Sequence, residues 1–471
     1  MKALPPSRPK ISIFTLAMIN FAAIASMRSL PSVAPYGFSL LFFYTLAAFL
    51  FLIPTALVSA ELTTLFPEGG GIYTWVSHAL GERAGFFAVF LQNVNNFVCF
   101  PMALSFVAGT IAYGIFPSLE QSRLFTLAVI LIMIWGGTIV ALRGIRVTGS
   151  VSAIGSSVGT FLPISMMVGL CIYWLLSGHP SQISFSGKTF FPDLSSPNNV
   201  SLTLGLLLSF AGMEMSANHI NDVENPRKNY PRAIFLATLL ILFVSIFGSL
   251  AIAIVVPREE LVIHAGATQA LARFFAELNV SWLTPIVAIL ETFGAVAWFC
   301  TWVSGPPRAL HATVRCGHLP QIFHGLNRHG MPTNIMLAQA IISTALALIF
   351  IFAESISTAF IILADLTAQY LLLMYVLMFL AAIILKIRRW GTLRTFRTTP
   401  GGEIGTIFLS ALGLGASLVS YVIGFFPPSG IGIQSPRMYT ACIIVGNVVA
   451  LLLPYLLSNR KKNSPQGHRV P

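Results

Sequence analysis

Two short segments place a charged residue beside a helix-breaking residue inside an otherwise apolar run. The first contains Arg28, three residues before Pro31, and the second contains Glu214, two residues after Gly212. Proline removes a backbone donor and glycine relaxes the backbone, so we expect each segment to interrupt a helix. Helix ends freed in this way carry unpaired N–H and C=O groups, which can hold a carboxylate and an ammonium group.

The candidate binding residues are those at the two interruptions. They are Ser26, Met27, Arg28, Ser29 and Leu30 in the first, and Phe210, Ala211, Gly212, Met213 and Glu214 in the second. A single proline or glycine often only kinks a membrane helix. Two matching interruptions, each with a charge that is costly to bury in a bilayer, favour a binding site. Arg28 is open to two interpretations, since it can pair with the side-chain carboxylate of an acidic substrate or be neutralised by Glu214.

Four further titratable residues are candidates for proton coupling or gating: Glu61, Glu291, Asp365 and His219. Glu61 and the nearby Glu68 lie around the end of the second apolar run, which favours a structural or gating role. Glu291 and Asp365 lie deeper, so each is a proton carrier, the partner of a buried base or a hydrogen-bonded packing residue. His219 follows the second interruption in a segment of mixed charge, which is either a solvated interface loop or a gate network.

The residue types predict no covalent chemistry, no metal and no cofactor, so the chain is not expected to be an enzyme. The five cysteines lie singly, without the Cys/His spacing of a zinc site. No phosphate-binding GxxxxGK[ST] motif is present, so ATP-driven transport would need another subunit. Lys and Arg are scattered between apolar runs rather than clustered, which predicts no binding of nucleic acid.

The elements that position these residues are predicted to be membrane-spanning helices. Of the 471 residues, 56% are hydrophobic and only 9% are charged, so most of the outer surface is expected to face lipid. Long apolar runs predict helices and exclude a transmembrane barrel, which would show alternation. We predict twelve spans, at 12–36, 38–64, 84–116, 123–142, 150–176, 200–221, 231–256, 281–314, 333–352, 355–386, 405–426 and 438–458.

The distribution of positive charge predicts that both termini are cytoplasmic. With that orientation, all but six of the 27 Lys and Arg residues lie in cytoplasmic segments. The exceptions are Arg28 within the first run and, on the outer side, Arg123, Lys188, Arg258, Arg273 and Arg437. Such asymmetry is typical of short loops in inner-membrane proteins, and an odd number of spans would destroy it.

The outer loop divides the chain into two sets of five helices. The predicted organisation is a cytoplasmic N-terminus (1–11), a first five-helix repeat (12–176), an extracytoplasmic loop (177–199), a second repeat (200–386), a cytoplasmic loop (387–404), helices eleven and twelve (405–458) and a short basic cytoplasmic tail (459–471). Because five is an odd number, the second repeat enters the membrane from the opposite side. Inverted repeats of this kind meet at discontinuous helices 1 and 6, which surround a site near the middle of the membrane.

Several motifs extend this interpretation: Ala60 to Leu62, Pro67 to Trp75, Gly212 to Glu214, Asn225 to Pro231 and Trp302 to Arg308. They resemble the amino acid–polyamine–organocation superfamily, and within it the glutamate/GABA antiporters. The resemblance implies a LeuT-like fold with alternating access, exchange of one amino acid for another, and substrate contact at both interruptions with Trp302 as a lid. At Arg28 this chain departs from the aromatic and acidic residues of that family, and its short tail predicts no pH-dependent plug.

The leading hypothesis is a secondary active amino-acid antiporter of the bacterial inner membrane, whose partners are small amino acids and the lipid bilayer. A proton-coupled one-way permease is the alternative, and the carboxylates Glu291 and Asp365 would support it. A non-transporting amino-acid sensor is less favoured, because no sizeable soluble output domain is present. The sequence makes no prediction of oligomeric state.

Overall fold

The computed structural model describes residues 12–66, 71–144, 148, 151, 154–192, 206–207, 209–215, 223–388, 399, 401–427 and 435–458. The regular elements in these ranges are helices. In chain order they are α1 (Ile13–Ile24), α2 (Leu30–Val33), α3 (Leu40–Ala47), α4 (Ile53–Leu65), α5 (Gly71–Leu80), α6 (Glu82–Ile115), α7 (Arg123–Ala141), α8 (Leu162–Leu176), α9 (Gly187–Phe190), α10 (Pro226–Val255), α11 (Gly266–Glu277), α12 (Leu283–Ala312), α13 (Thr333–Ala347), α14 (Ile349–Phe352), α15 (Ile356–Arg388), α16 (Gly402–Ile423) and α17 (Pro436–Ser458).

Ten helical stretches in the described residues are long and apolar enough to cross a membrane. They are Met27–Leu65, Glu82–Ile115, Arg123–Ala141, Ile154–Leu176, Lys228–Val255, Leu283–Ala312, Thr333–Phe352, Ile356–Arg388, Gly402–Ile423 and Pro436–Pro454. The expectation of an all-α, multi-pass membrane protein is therefore confirmed.

The count of twelve spans and the division into two inverted repeats stay predictions. Helix α1 has 12 residues, which gives a length of about 18 Å and is too short to cross the hydrocarbon layer alone. The sixth expected run, 200–221, lies largely outside the described residues.

Helix α6 lies in the interior and α16 at the periphery. In their most apolar windows, 83% of α6 but only 28% of α16 is buried. The exposed side chains of α16 include Phe408 and Val419, which are 61% and 60% exposed. Large apolar side chains on the outside of the bundle are the arrangement that a lipid environment requires.

A proline in α12 explains one of the polar contacts between α6 and α12. Pro306 has no N–H, so the carbonyl of Trp302, four residues earlier, loses its partner within the helix. The side-chain amide of Asn96 on α6 donates to that carbonyl at 2.9 Å. Asn93, one turn earlier, donates to the carbonyl of Pro306 at 3.1 Å. The side chain of Asn96 thus supplies the partner that the backbone of α12 lacks at Pro306, which lipid cannot do.

Candidate functional site

The first interruption lies at Ala25 and Ser26, between α1 and a 3₁₀ turn at Met27–Ser29. Ala25 has ψ 122° and Ser26 has φ −149° and ψ 134°, so both residues are extended. We expected Pro31 to cause the interruption, but it lies within the first turn of α2. A missing N–H is harmless at that position, because the first N–H groups of a helix have no partner within the helix. Pro31 therefore begins the second half of the helix rather than ending the first.

The second interruption lies at Ala211 and Gly212. Ser209 is helical, Ala211 and Gly212 are not, and Met213 to Met215 form a 3₁₀ turn. Gly212 has φ +124°, a conformation that L side chains rarely adopt. A Cβ at this position would also lie 3.1 Å from Cγ1 of Ile24, at the end of α1. The glycine is therefore required both for the local backbone and for the close approach of the two interruptions.

Glu214 is buried among neutral donors. The hydroxyl of Tyr375 donates to Oε2 of Glu214 at 2.5 Å, and Nε2 of Gln92 lies 3.3 Å from Oε1. The same Tyr375 hydroxyl accepts from the backbone N–H of Gly212 at 2.7 Å. One tyrosine on α15 thus holds both the carboxylate and the irregular backbone of the second interruption.

Arg28 does not neutralise Glu214. Its guanidinium lies 3.9 Å from the centre of the Trp298 ring, and its Nη1 donates to Oγ of Ser26 at 3.1 Å. Among the described residues no carboxylate lies within ion-pair distance of it. Of the two interpretations of Arg28, pairing with Glu214 is therefore not the arrangement that the structure contains.

A narrow cavity lies between the two interruptions and is lined by both. Its walls are Ala23, Ile24, Arg28, Ser29, Ser32, Asn95, Cys99, Met102, Ser209, Ala211, Trp298, Trp302, Phe360, Ala364, Thr367 and Leu371. The indole N–H of Trp302 donates to the carbonyl of Ala23 at 3.3 Å, which satisfies one of the free carbonyls at the end of α1. The cavity combines one cation, several hydroxyl groups and an apolar wall of aromatic and aliphatic side chains.

Four of the predicted binding residues line this cavity: Arg28, Ser29, Ala211 and Trp302. The others, Ser26, Met27, Leu30, Phe210, Gly212, Met213 and Glu214, belong to the surrounding backbone and packing rather than to the walls. The sequence analysis did not select Asn95, although a polar residue inside an apolar run is a usable signal. Nothing in the sequence distinguished Phe360, Ala364, Thr367 and Leu371, because α15 is buried on most sides and shows no polar face.

The three gating and proton-coupling candidates that the structure describes, Glu61, Glu291 and Asp365, lie outside the cavity walls. Glu61 on α4 forms an ion pair with Lys386 on α15, and both side chains are largely buried. Asp365 accepts from the hydroxyl of Tyr439 on α17 at 2.7 Å. Glu291 accepts from the hydroxyl of Thr268 at 2.5 Å.

The predictions for His219 and Glu68 cannot be compared with the structure. His219 and Glu68 both lie outside the residues that the structure describes. Their assigned roles, a gate network for His219 and a structural or gating role for Glu68, stay predictions.

The fold and the cavity together define the class of protein: an integral multi-pass membrane protein with a buried polar site between interrupted helices. A family model described as "Amino acid permease" matches residues 11–448. The chain therefore belongs to the amino acid permease family, whose members are transporters.

Individual relatives agree with this assignment. The chain is 38% identical to an uncharacterized transporter of Legionella pneumophila, over 96% of this chain and 97% of the relative. It is 30% identical to a glutamate/gamma-aminobutyrate antiporter of Lactococcus lactis, over 96% of this chain and 90% of the relative. It is also 26% identical to a putrescine transporter of Escherichia coli, over 68% of this chain and 70% of the relative.

Proposed function

We propose that the protein is a secondary active amino-acid antiporter that exchanges acidic amino acids such as glutamate for gamma-aminobutyrate by alternating access. The observation that carries the proposal is Arg28, a cation in the cavity wall with no carboxylate partner among the described residues. The relatives named as glutamate/gamma-aminobutyrate antiporters, which match nearly the whole chain, give independent support.

The setting of Arg28 favours an anionic ligand. Burying a guanidinium without a counter-charge costs several kcal/mol, and stacking on an indole ring in a dry site contributes about 2 kcal/mol or more, which offsets part of that cost. A carboxylate on the substrate would supply the missing charge and accept two parallel N–H donors. Free backbone N–H groups at the interruptions can bind the α-carboxylate of the substrate. Arg28 is then available to bind a second carboxylate, the one on the side chain of the substrate.

Asn95 supplies the complementary group for the ammonium of the substrate. Its Oδ1 is buried without a hydrogen-bond partner, and the residue lines the cavity beside Cys99. A buried amide oxygen without a donor is unfavourable, and an ammonium group is a strong donor. The cavity therefore offers an acceptor for the amino group and a cation for the side chain.

The role of Arg28 is tested by ligand-dependent thermal unfolding of the purified protein, with glutamate and its neutral analogue glutamine as ligands. A ligand that binds only the folded state raises the unfolding temperature. We expect glutamate to stabilise the protein more than glutamine, and Arg28→Ala to weaken glutamate binding about 10- to 100-fold, the value of a charged hydrogen bond. Arg437→Ala, an exposed arginine at the start of α17, is the matched control and should bind as the native chain does.

An unchanged preference for glutamate over glutamine in Arg28→Ala would contradict the assignment of Arg28 to the substrate. Arg28→Lys separates charge from geometry, because lysine keeps the charge but loses the planar pair of donors. We expect this variant to recover part of the binding.

The second candidate function is a proton-coupled one-way amino-acid permease. It is favoured by the burial of Glu291, which has no cationic partner among the described residues. The two functions differ in what drives uptake: a permease loads empty vesicles when a pH gradient is imposed, whereas an antiporter needs a counter-substrate inside. We propose a bacterial inner-membrane location with both termini on the cytoplasmic side, which the distribution of Lys and Arg supports.

A further inference from the structure

Helix α11 packs against α2, α6 and α12. Helix α2 overlaps the short segment 29–32, which borders the cavity through Ser29 and Ser32 and forms the cavity rim. The buried face of α11 includes Thr268, Leu271 and Phe274, whereas Glu277 at its end is exposed. Its first residue packs closely on α2, just after the first interruption, since a Cβ at Gly266 would lie 2.8 Å from Cβ of Pro31. Pro31 belongs to the same short segment as Ser29 and Ser32, which line the cavity. Movement of α11 would therefore displace Pro31 and, with it, the neighbouring residues Ser29 and Ser32 that line the cavity.

A buried carboxyl group on α12 contacts the first turn of α11. Glu291 is 1% exposed, and Thr268 donates to its Oε2 at 2.5 Å. The other oxygen, Oε1, is buried without a hydrogen-bond partner. Oγ1 of Thr268 also lies 3.4 Å from Oγ1 of Thr110 on α6, so three helices meet at this point.

No charge near this point compensates an ionised Glu291. On the elements packed around it, the titratable groups include His264, Tyr113, Glu120, Cys171, the ion pair of Arg273 with Glu260 and the pair of His179 with Glu277. None of the described cations lies within ion-pair distance of Glu291. An ionised carboxylate with one hydrogen bond in apolar surroundings is strongly unfavourable, and binding a proton removes the charge.

We propose that Glu291 is a proton-binding site whose occupancy holds α11 against α12, so that loss of the proton releases α11 and loosens the cavity rim at Pro31. The proton leaves to water, because the carboxylate becomes hydrated only when α11 moves away. The docked form is the protonated form, so docking weakens as pH rises, by up to tenfold for each pH unit once the carboxyl ionises in the open form. This inference goes beyond the proposed function and stands whichever substrate is carried.

Native-state hydrogen exchange of the full-length purified protein tests the proposal without any substrate. Exchange rates of the α11 amides are measured from pH 5 to pH 9 and corrected for the pH dependence of the exchange chemistry, which leaves the opening constant of α11. We expect this constant to rise with pH in the native chain, approaching tenfold per unit. In Glu291→Gln, which keeps the shape but cannot ionise, the profile should be flat.

Two variants serve as controls for the exchange experiment. Glu259→Gln makes the same chemical change at an exposed site in the turn before α11 and should keep the native slope. Thr268→Val removes the hydroxyl that contacts Glu291. This variant should raise the opening constant of α11 at every pH but leave its dependence on pH unchanged. If Glu291→Gln does not fold, Glu291→Leu carries the same expectation of a flat profile.

The sign of the effect separates Glu291 from the neighbouring histidine. Burial lowers the pKa of His264 to about 4, so protonation of that ring would open the structure as pH falls. A native profile that is flat or that rises on acidification would overturn the proposal. A native-like slope in Glu291→Gln would overturn it as well.

Discussion

The charges at the two interruptions are held by different partners, and this determines what each can do. Glu214 is held by Tyr375 and Gln92, so it is committed to the backbone of the second interruption. Arg28 is held by an aromatic face and a hydroxyl group, which leaves its charge open to a ligand. One acid and one base in similar sequence settings thus have different roles, one structural and one directed at the cavity.

Asn95 and Asn96 are neighbours in the chain but differ in their hydrogen bonds, and this difference gives a prediction at the residue scale. Asn96 donates to the Trp302 carbonyl that Pro306 leaves without a partner. Removing that donor leaves a buried carbonyl unpaired, so Asn96→Ala should cost about 1–3 kcal/mol of stability. Asn95→Ala should cost less stability but weaken ligand binding. Thermal unfolding with and without glutamate checks both; equal destabilisation by the two variants would contradict this reading of α6.

The sequence revealed the charged residues of the site but not their partners. Arg28 and Glu214 stand out because ions are rare in apolar runs. Tyr375 lies 161 positions from Glu214 in the chain, on a helix buried on most sides, so no periodicity marks the face that it presents. Contacts of this kind depend on how helices pack, which a single sequence does not encode locally.

At the scale of the elements, the cavity depends on the exact places where two helices stop. The first interruption precedes Pro31 by five residues and places the end of α1 against Gly212. The long helices were readable from the sequence: α6, α12 and α15 begin and end within two residues of the predicted runs 84–116, 281–314 and 355–386. The interruptions were located less precisely, because proline is tolerated in the first turn of a helix as well as after its end.

The prediction at the scale of the elements concerns replacement of Gly212 by alanine. Alanine there must adopt a positive φ and press on Ile24, which we expect to cost at least about 1–3 kcal/mol and to abolish ligand-dependent stabilisation. Gly169→Ala on α8 is the matched control, because its Cβ would meet nothing within 4 Å. That variant should be neutral or slightly stabilising, since alanine favours a helix over glycine. Ligand stabilisation that survives in Gly212→Ala would show that the backbone at this glycine is not critical.

At the scale of the whole molecule, long helices are tied together at points away from the cavity. The ion pair of Glu61 with Lys386 joins α4 to α15. Asp365 joins α15 to α17 through Tyr439, and Glu291 joins α12 to α11 through Thr268. Each of these contacts joins two helices through residues outside the cavity walls.

Exchange is the central claim, and counterflow in proteoliposomes tests it most directly. Vesicles loaded with unlabelled glutamate or gamma-aminobutyrate and vesicles without amino acid are given labelled glutamate outside, with no pH gradient. We predict rapid uptake into the loaded vesicles and almost none into the empty ones, because an antiporter returns to the outside only with a substrate bound. Equal uptake into loaded and empty vesicles would contradict the exchange mechanism.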